Sequence, residues 1–428
     1  MSGHWQSVAA FTSTLWATRR GRSRASFERW QRRRLSEWVH DAVPRVSYYA
    51  SQPTPQWLGD LPIIDKALVM RRFKDFNIGR VTAEQGWQAY EDGGKLTVGD
   101  TELAIGCSTG TSGNRTLYAI TAAEQQRWLG VILAKALPGF MFRRERVAII
   151  LPQLSALYET ANQSARISVR FFGLQNGIEA WIKELVQFAP TTIVAPPRVL
   201  RHLADTQPGL APQRIFAAGE TLDRNDRVAI EAGFDLELGQ IYMASEGLLG
   251  VSCAHGKLHL AEDTTYFEYE PVAGGLVTPL ITCFRRDYQI MARYRMNDLL
   301  RLARIPCSCG SPLQAVDQIV GRMDDVFVFE QPLRDKVLIT PDVIRNAVLD
   351  SDRTISDFRV VRLADGTVEL TLPPELSPAQ VAAAQAELMQ VFTRNGLDPV
   401  VRLGQAKLSF EPGQKLRRVE NRYHNNEC

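Results

Sequence analysis

The segment AIGCSTGTSGNRTLYAIT, residues 104–121, decides the reading of this chain. An apolar, strand-like run leads into Ser108, Thr109, Gly110, Thr111, Ser112 and Gly113, and a second apolar run follows. Glycines let successive backbone N–H groups converge, and the hydroxyls add donors, which is how a loop holds phosphate oxygens. It is not a Walker loop, because no Gly-Lys-Ser/Thr follows at the required spacing. Taken alone, such a loop reads equally well as a flexible turn.

Around this loop, short apolar runs such as VAIILP, VRFFGL, TIVAPP and RIFAAGE alternate with helical stretches such as AAEQQRWLGVILAKAL and AWIKELVQF. That alternation predicts an α/β domain whose strands are buried on both faces. After Gly321 the rhythm shortens to RDKVLITPDVIRNAVL, DFRVVRL, TVELTLP, a helix over about residues 378–395, and VVRLGQAKLSF. The expected architecture is a large multi-layer α/β domain over residues 1–323 and a small, mobile α+β domain over 324–428, joined near Gly321 to Val326. Upstream, Arg19 to Arg34 holds eight arginines and one glutamate, which predicts a helix with a wet basic face and Phe27 and Trp30 turned inward.

Composition narrows the classes. In 428 residues, 45% are apolar and 23% charged, with 50 Lys plus Arg against 47 Asp plus Glu and a formal net charge of +3. That balance supplies no global field for nucleic acid. No apolar run approaches the roughly 20 residues that span a bilayer, and the amino terminus lacks a signal-peptide core, so a cytoplasmic location is expected with no membrane partner. Six cysteines are too sparse for a disulfide scaffold.

Four further segments follow the loop in order: AAGETL at 217–222, IYMASEG at 241–247, RYRMNDLL at 293–300 and VGRMDD at 320–325. Each alone reads as a turn or a cap. Together with the loop, they resemble the adenylate-forming superfamily of acyl-CoA synthetases, luciferases and peptide-synthetase adenylation domains, most nearly its phenylacetate-CoA ligase-like branch. The resemblance implies that Thr109, Thr111 and Ser112 hold the β- and γ-phosphates of ATP, and that Gly219 and Glu220 border the adenine. It implies that Tyr242 lays its ring against the adenine, Ser245 donates to the α-phosphate and Glu246 holds Mg²⁺, a hard cation suited to carboxylate oxygens. Asp298 would accept from both ribose hydroxyls, Arg322 would also contact the ribose, and Asp324 stands at the hinge. In PGQKLRRVENR, 412–422, Lys415 matches the lysine that reaches between the substrate carboxylate and the α-phosphate.

The sequence departs from the superfamily pattern in two places. Thr116 stands where a loop lysine is usual, and Arg115 is the candidate to supply its charge. The glycine expected after the hinge is replaced by FEQPLRDKV. Cys253 and His259 in SCAHGKLHLAED, with Cys307 and Cys309 in CSCG, have the residue types and two-plus-two spacing of a structural zinc site, as some relatives in this branch look to have. His255 competes with His259, and buried free thiols are the alternative.

The implied activity is activation of a carboxylic acid by ATP with release of pyrophosphate, followed by transfer to a thiol, with coenzyme A as the expected acceptor. An aryl acid is expected, with Phe171, Phe172 and Tyr242 near the segments that line its pocket. The rivals are transfer to a carrier-protein thiol or an amine, and a nucleotide-binding regulator without catalysis. A homodimer is compatible with the sequence.

Overall fold

The computed structural model describes residues 4–108, 115–151, 166–331, 334–355, 357–408 and 416–423. Among these, twelve strands form one mixed sheet. Its parallel half runs in the order Ile167–Gly173, Glu145–Leu151, Thr192–Ala195, Arg214–Ala218 and Leu238–Ala244. These are the unbroken apolar runs of the sequence, and helices cover them. Phe172, Trp181, Leu185, Phe188, Ile193 and Leu200 form one such layer of core. From Leu238–Ala244 onward the pairing turns antiparallel, through Gly247–Ser252, Leu258–Leu260 and Ala315–Arg322 to Asp298–Leu302.

Local sequence sets the helix starts. Thr121 caps the helix Ala122–Ala136 and Glu124 returns a bond to the cap, while Ser377 and Gln380 do the same for Pro378–Arg394. The helix His4–Ala17 crosses Ala122–Ala136 at Gly130, where a Cβ would stand 2.1 Å from the Ser7 carbonyl oxygen. Only glycine permits that approach. In the arginine-rich segment, the helix Arg24–Asp41 buries Phe27 and Trp30 as its pattern predicts.

The strands Lys95–Val98, Thr101–Cys107 and Leu117–Thr121 make a separate antiparallel sheet. Residues from Phe327 to Val419 build their own core around a four-stranded sheet and the helices Pro341–Ser351 and Pro378–Arg394. This smaller unit meets the larger one through buried charge. Arg345 donates to Asp223 at 2.8 Å and Arg418 pairs with Asp223 and Asp226, all four nearly enclosed. Among the described residues no helix is long and apolar enough to cross a membrane.

Candidate active site and metal centre

The loop that opened the reading connects two paired strands, with Cys107 opposite Leu117. Ser108 N donates to the Thr116 carbonyl at 2.8 Å, and Thr116 N donates to Ser108 Oγ at 2.9 Å. Thr116 is therefore the buried closure of the loop's base, and Arg115 beside it is exposed. Thr109, Gly110, Thr111, Ser112 and Gly113 lie outside the described residues, as does Lys415.

Gly219 leaves the strand Arg214–Ala218 with φ +82°, a left-handed turn that aims Glu220 inward. Glu220 pairs with Arg198 at 3.3 Å and accepts from Leu416 N at 3.1 Å. The backbone of the carboxy-terminal motif is thus bonded to the AAGETL motif, from which 196 residues separate it.

Tyr242 on Leu238–Ala244 and Asp298 at the start of Asp298–Leu302 meet across the sheet, the Tyr242 hydroxyl donating to Asp298 Oδ2 at 2.6 Å. Burial first, and then the Asp298 carboxylate, hold the Tyr242 phenol pKa well up, so it stays a donor. Tyr242 as a whole is 7% exposed and belongs to the core. Asp298 faces Arg322 across the Asp298–Leu302 and Ala315–Arg322 strand pair. Just beyond, Asn297 Nδ2 donates to Asp324 Oδ2 at 2.6 Å and Met323 N donates to the Asn297 carbonyl at 2.8 Å, which straps the hinge position to the RYRMNDLL motif.

Ser245 Oγ donates to Glu246 Oε2 at 2.9 Å. Glu246 is 7% exposed, and Tyr294, whose pKa burial and then Glu246 raise, bonds to it. Sequence reasoning missed Lys66. Its ammonium lies in the field of Glu246, Arg322 and Asp324, and burial draws its pKa down. It stands at the start of the helix Lys66–Arg71, in IIDKALVM, with no motif around it to signal a role. Asn297, beside Asp298, was legible only as a neighbour in a motif.

A cavity opens beside Ser245 and Glu246. Tyr118, Ile120, Trp128, Val131, Met243 and Leu248 give it an apolar wall. Phe171 and Phe172, expected near the acyl pocket, are not among its lining residues, but Phe171 packs in one cluster with Trp128 and Met243, which are. Phe172 points to the opposite side of the sheet and packs on Trp181 and Phe188, because alternate residues of a strand face opposite ways.

Cys253, His259, Cys307 and Cys309 converge, their ligand atoms all within 4.8 Å of one another. Cys253 Sγ lies 3.9 Å from Cys307 Sγ, and Cys309 Sγ lies 3.4 Å from His259 Nε2. A tetrahedral zinc needs edges of about 3.8 Å for sulfur pairs and about 3.5 Å for sulfur and nitrogen. His259 Nδ1 faces the Leu313 carbonyl at 3.1 Å, which places the proton on Nδ1 and leaves Nε2 for a metal. Burial lowers the His259 pKa, favouring the neutral ring a metal requires. His255 turns to Ser308 Oγ at 2.9 Å, so His259 is the fourth corner. These four residues fit a closed, structural zinc.

No protein-family model matches the sequence, and no curated protein does. Solved structures do match the fold. The chain is similar to 2-hydroxyisobutyryl-CoA ligase in the postadenylation state, at 17% identity and a TM-score of 0.69 over 94% of this chain and 91% of that one. It superposes less well on the same ligase in the thioesterification state with 2-HIB-AMP and CoA, at 18% identity and 0.53 over 94% and 91%. An amide bond synthetase from Marinactinospora thermotolerans matches at 12% identity and 0.53, over 73% of this chain and 67% of that one. The parallel-to-antiparallel sheet, the separate small unit and these neighbours agree: the chain has the fold of the adenylate-forming ligase superfamily.

Proposed function

We propose that the chain activates a carboxylic acid as its acyl-adenylate and passes the acyl group to a thiol, coenzyme A before a carrier protein or an amine. The observation that carries this is the apolar cavity opening directly on Ser245 and Glu246, with Tyr242, Asp298 and Arg322 gathered on the same motifs. The named ligase neighbours support it, as does the ordered motif set of the phenylacetate-CoA ligase-like branch. Tyr118 and Trp128 in the wall suit an acid with a flat apolar body.

ATP would lie with its ribose on Asp298, whose two oxygens offer enough lone pairs for both hydroxyls beside the Tyr242 bond. The phosphates would lie over residues 108–116. Glu246, enclosed and next to the Ser245 hydroxyl, is the residue to hold Mg²⁺, which supplies charge compensation on the phosphates when bound. The acid's carboxylate oxygen attacks the α-phosphorus in line and pyrophosphate leaves. Ser245 donates to the α-phosphate, and Lys415 stabilises the charge that gathers there. The thiolate then attacks the acyl carbon and AMP leaves.

We take residues 1–323 as the adenylate-forming body and 324–428 as a lid turning at Asp324. The Leu416 bond to Glu220 supports an arrangement suited to the first step, and rotation would break it for the second. Zinc at Cys253, His259, Cys307 and Cys309 would be structural. Exchange of labelled pyrophosphate into ATP, dependent on added acid, tests the reading, with thioester, carrier-bound ester and amide measured in parallel. No exchange over a broad acid panel, with nucleotide binding intact, would leave a nucleotide-binding protein without this chemistry.

A further inference from the structure

The wall of the acyl cavity carries more cations than an apolar acid needs. Arg127, Arg285 and Arg286 all line it. Two of them are matched by nearby carboxylates. Arg127 pairs with Asp287 at 2.6 Å. Arg286 lies 3.8 Å from Glu124, whose oxygens also accept from the backbone N–H groups of Thr121, Asp287 and Tyr288.

Arg285 is different. Among the described residues its one hydrogen bond is Nη2 to the neutral Ser13 hydroxyl at 3.1 Å, and no carboxylate reaches salt-bridge distance. Its Nε is enclosed without a partner. Burial lowers its pKa, the field of Asp263 and Asp287 opposes this, and Arg34 and Arg127 add to it. Asp263 is already engaged, by Lys135 at 2.6 Å and by Thr14 at 3.1 Å. A largely buried guanidinium without an anion beside it is destabilised, which a ligand anion would relieve.

Position identifies which part of a ligand that anion is. Arg286 turns toward the reacting end, donating to the Glu246 and Ala119 carbonyls, whereas Arg285 turns toward Ser13 on the amino-terminal helix. Tyr118, Ile120, Trp128, Val131, Met243 and Leu248 make the apolar wall of the same cavity.

We propose that the cavity is built for a dicarboxylic acid, one carboxylate reacting beside Ser245 and the other pairing with Arg285 across an apolar spacer. This rests on the ligase reading above and names its substrate class. Bidentate pairing with a carboxylate is the geometry a guanidinium offers.

Two matched pairs of acids test it: glutarate against pentanoate, and terephthalate against 4-methylbenzoate. Binding is measured by calorimetry and adenylation by pyrophosphate exchange. In the wild-type protein each diacid should bind at least about 100-fold more tightly than its partner, since a site built for a polar group rejects the analogue lacking it. Arg285→Leu should erase that gap, and Arg285→Lys should keep part of it. Equal binding within each wild-type pair overturns the proposal without any variant. Equal weakening of diacids and monoacids by Arg285→Leu also overturns it, because it puts Arg285 on the reacting carboxylate. Diacid-selective binding without exchange upholds the cavity inference and refutes the ligase reading. Exchange with the monoacids and no selectivity does the reverse, and absence of both refutes both.

Discussion

Replacing Cys309 with serine removes one corner of the Cys253, His259, Cys307 and Cys309 cluster, and the structure sets the size of the loss. The metal is not needed to bring the two segments together, because Leu258 and His259 already pair with Val316 and Ala315 across the sheet. What bound zinc would add is mass-action stabilisation of a preformed site, about 4 kcal/mol at a thousandfold excess over the dissociation constant. Losing one thiolate should forfeit most of it. For a domain of this size that lowers the melting temperature by about 5–10 °C. Elemental analysis of protein purified without chelator should find about one zinc per chain, and Cys309→Ser should lower both metal content and melting temperature. His255→Ala should change neither, since its ring turns to Ser308. Metal-free protein with the wild-type melting temperature, or Cys309→Ser with both quantities unchanged, would refute the reasoning and leave buried thiols.

Asp298→Ala should weaken ATP binding by about 2 kcal/mol or more, since it removes a charged acceptor and leaves the Tyr242 hydroxyl without its partner. Calorimetry decides it, and unchanged affinity in a folded variant would remove Asp298 from the ribose role. Lys415→Ala should slow adenylate formation by about 100-fold or more, while preformed acyl-adenylate and coenzyme A still yield thioester at close to the wild-type rate. Equal loss in both half-reactions would count against a lid that turns. Burial raises the Asp357 carboxyl to about 6, with Arg418 opposing it. A folded pKa above the unfolded one means stability is lost as pH rises from about 4 to 6. Asp357→Asn should therefore stabilise the small unit by about 1–2 kcal/mol above pH 6, after allowance for solvent screening, and by nothing near pH 4. Denaturant titrations at both pH values check the sign.

The sequence by itself determined the elements and their order. Runs such as VAIILP became two-face-buried strands because only a covered parallel sheet accepts unbroken apolar stretches, and Thr121 and Ser377 started helices through bonds to residues three positions on. Motif order was enough to expect the superfamily fold, and residue type with spacing was enough to name Cys253, Cys307 and Cys309 with two competing histidines as candidate metal ligands. What it could not decide was long-range geometry. His255 and His259 are four residues apart and chemically alike. Only the antiparallel register that sends one ring to Ser308 and the other toward Cys309 separates them. Phe171 and Phe172 read alike in the sequence until the sheet put Phe172 against Trp181 and Phe188 and Phe171 on the side of Trp128 and Met243. Lys66 comes near Glu246 and Arg285 lines the cavity from segments with no motif, because a folded chain places them there through packing across the whole domain. The same holds for Leu416 on Glu220, a contact that exists only where the two units meet.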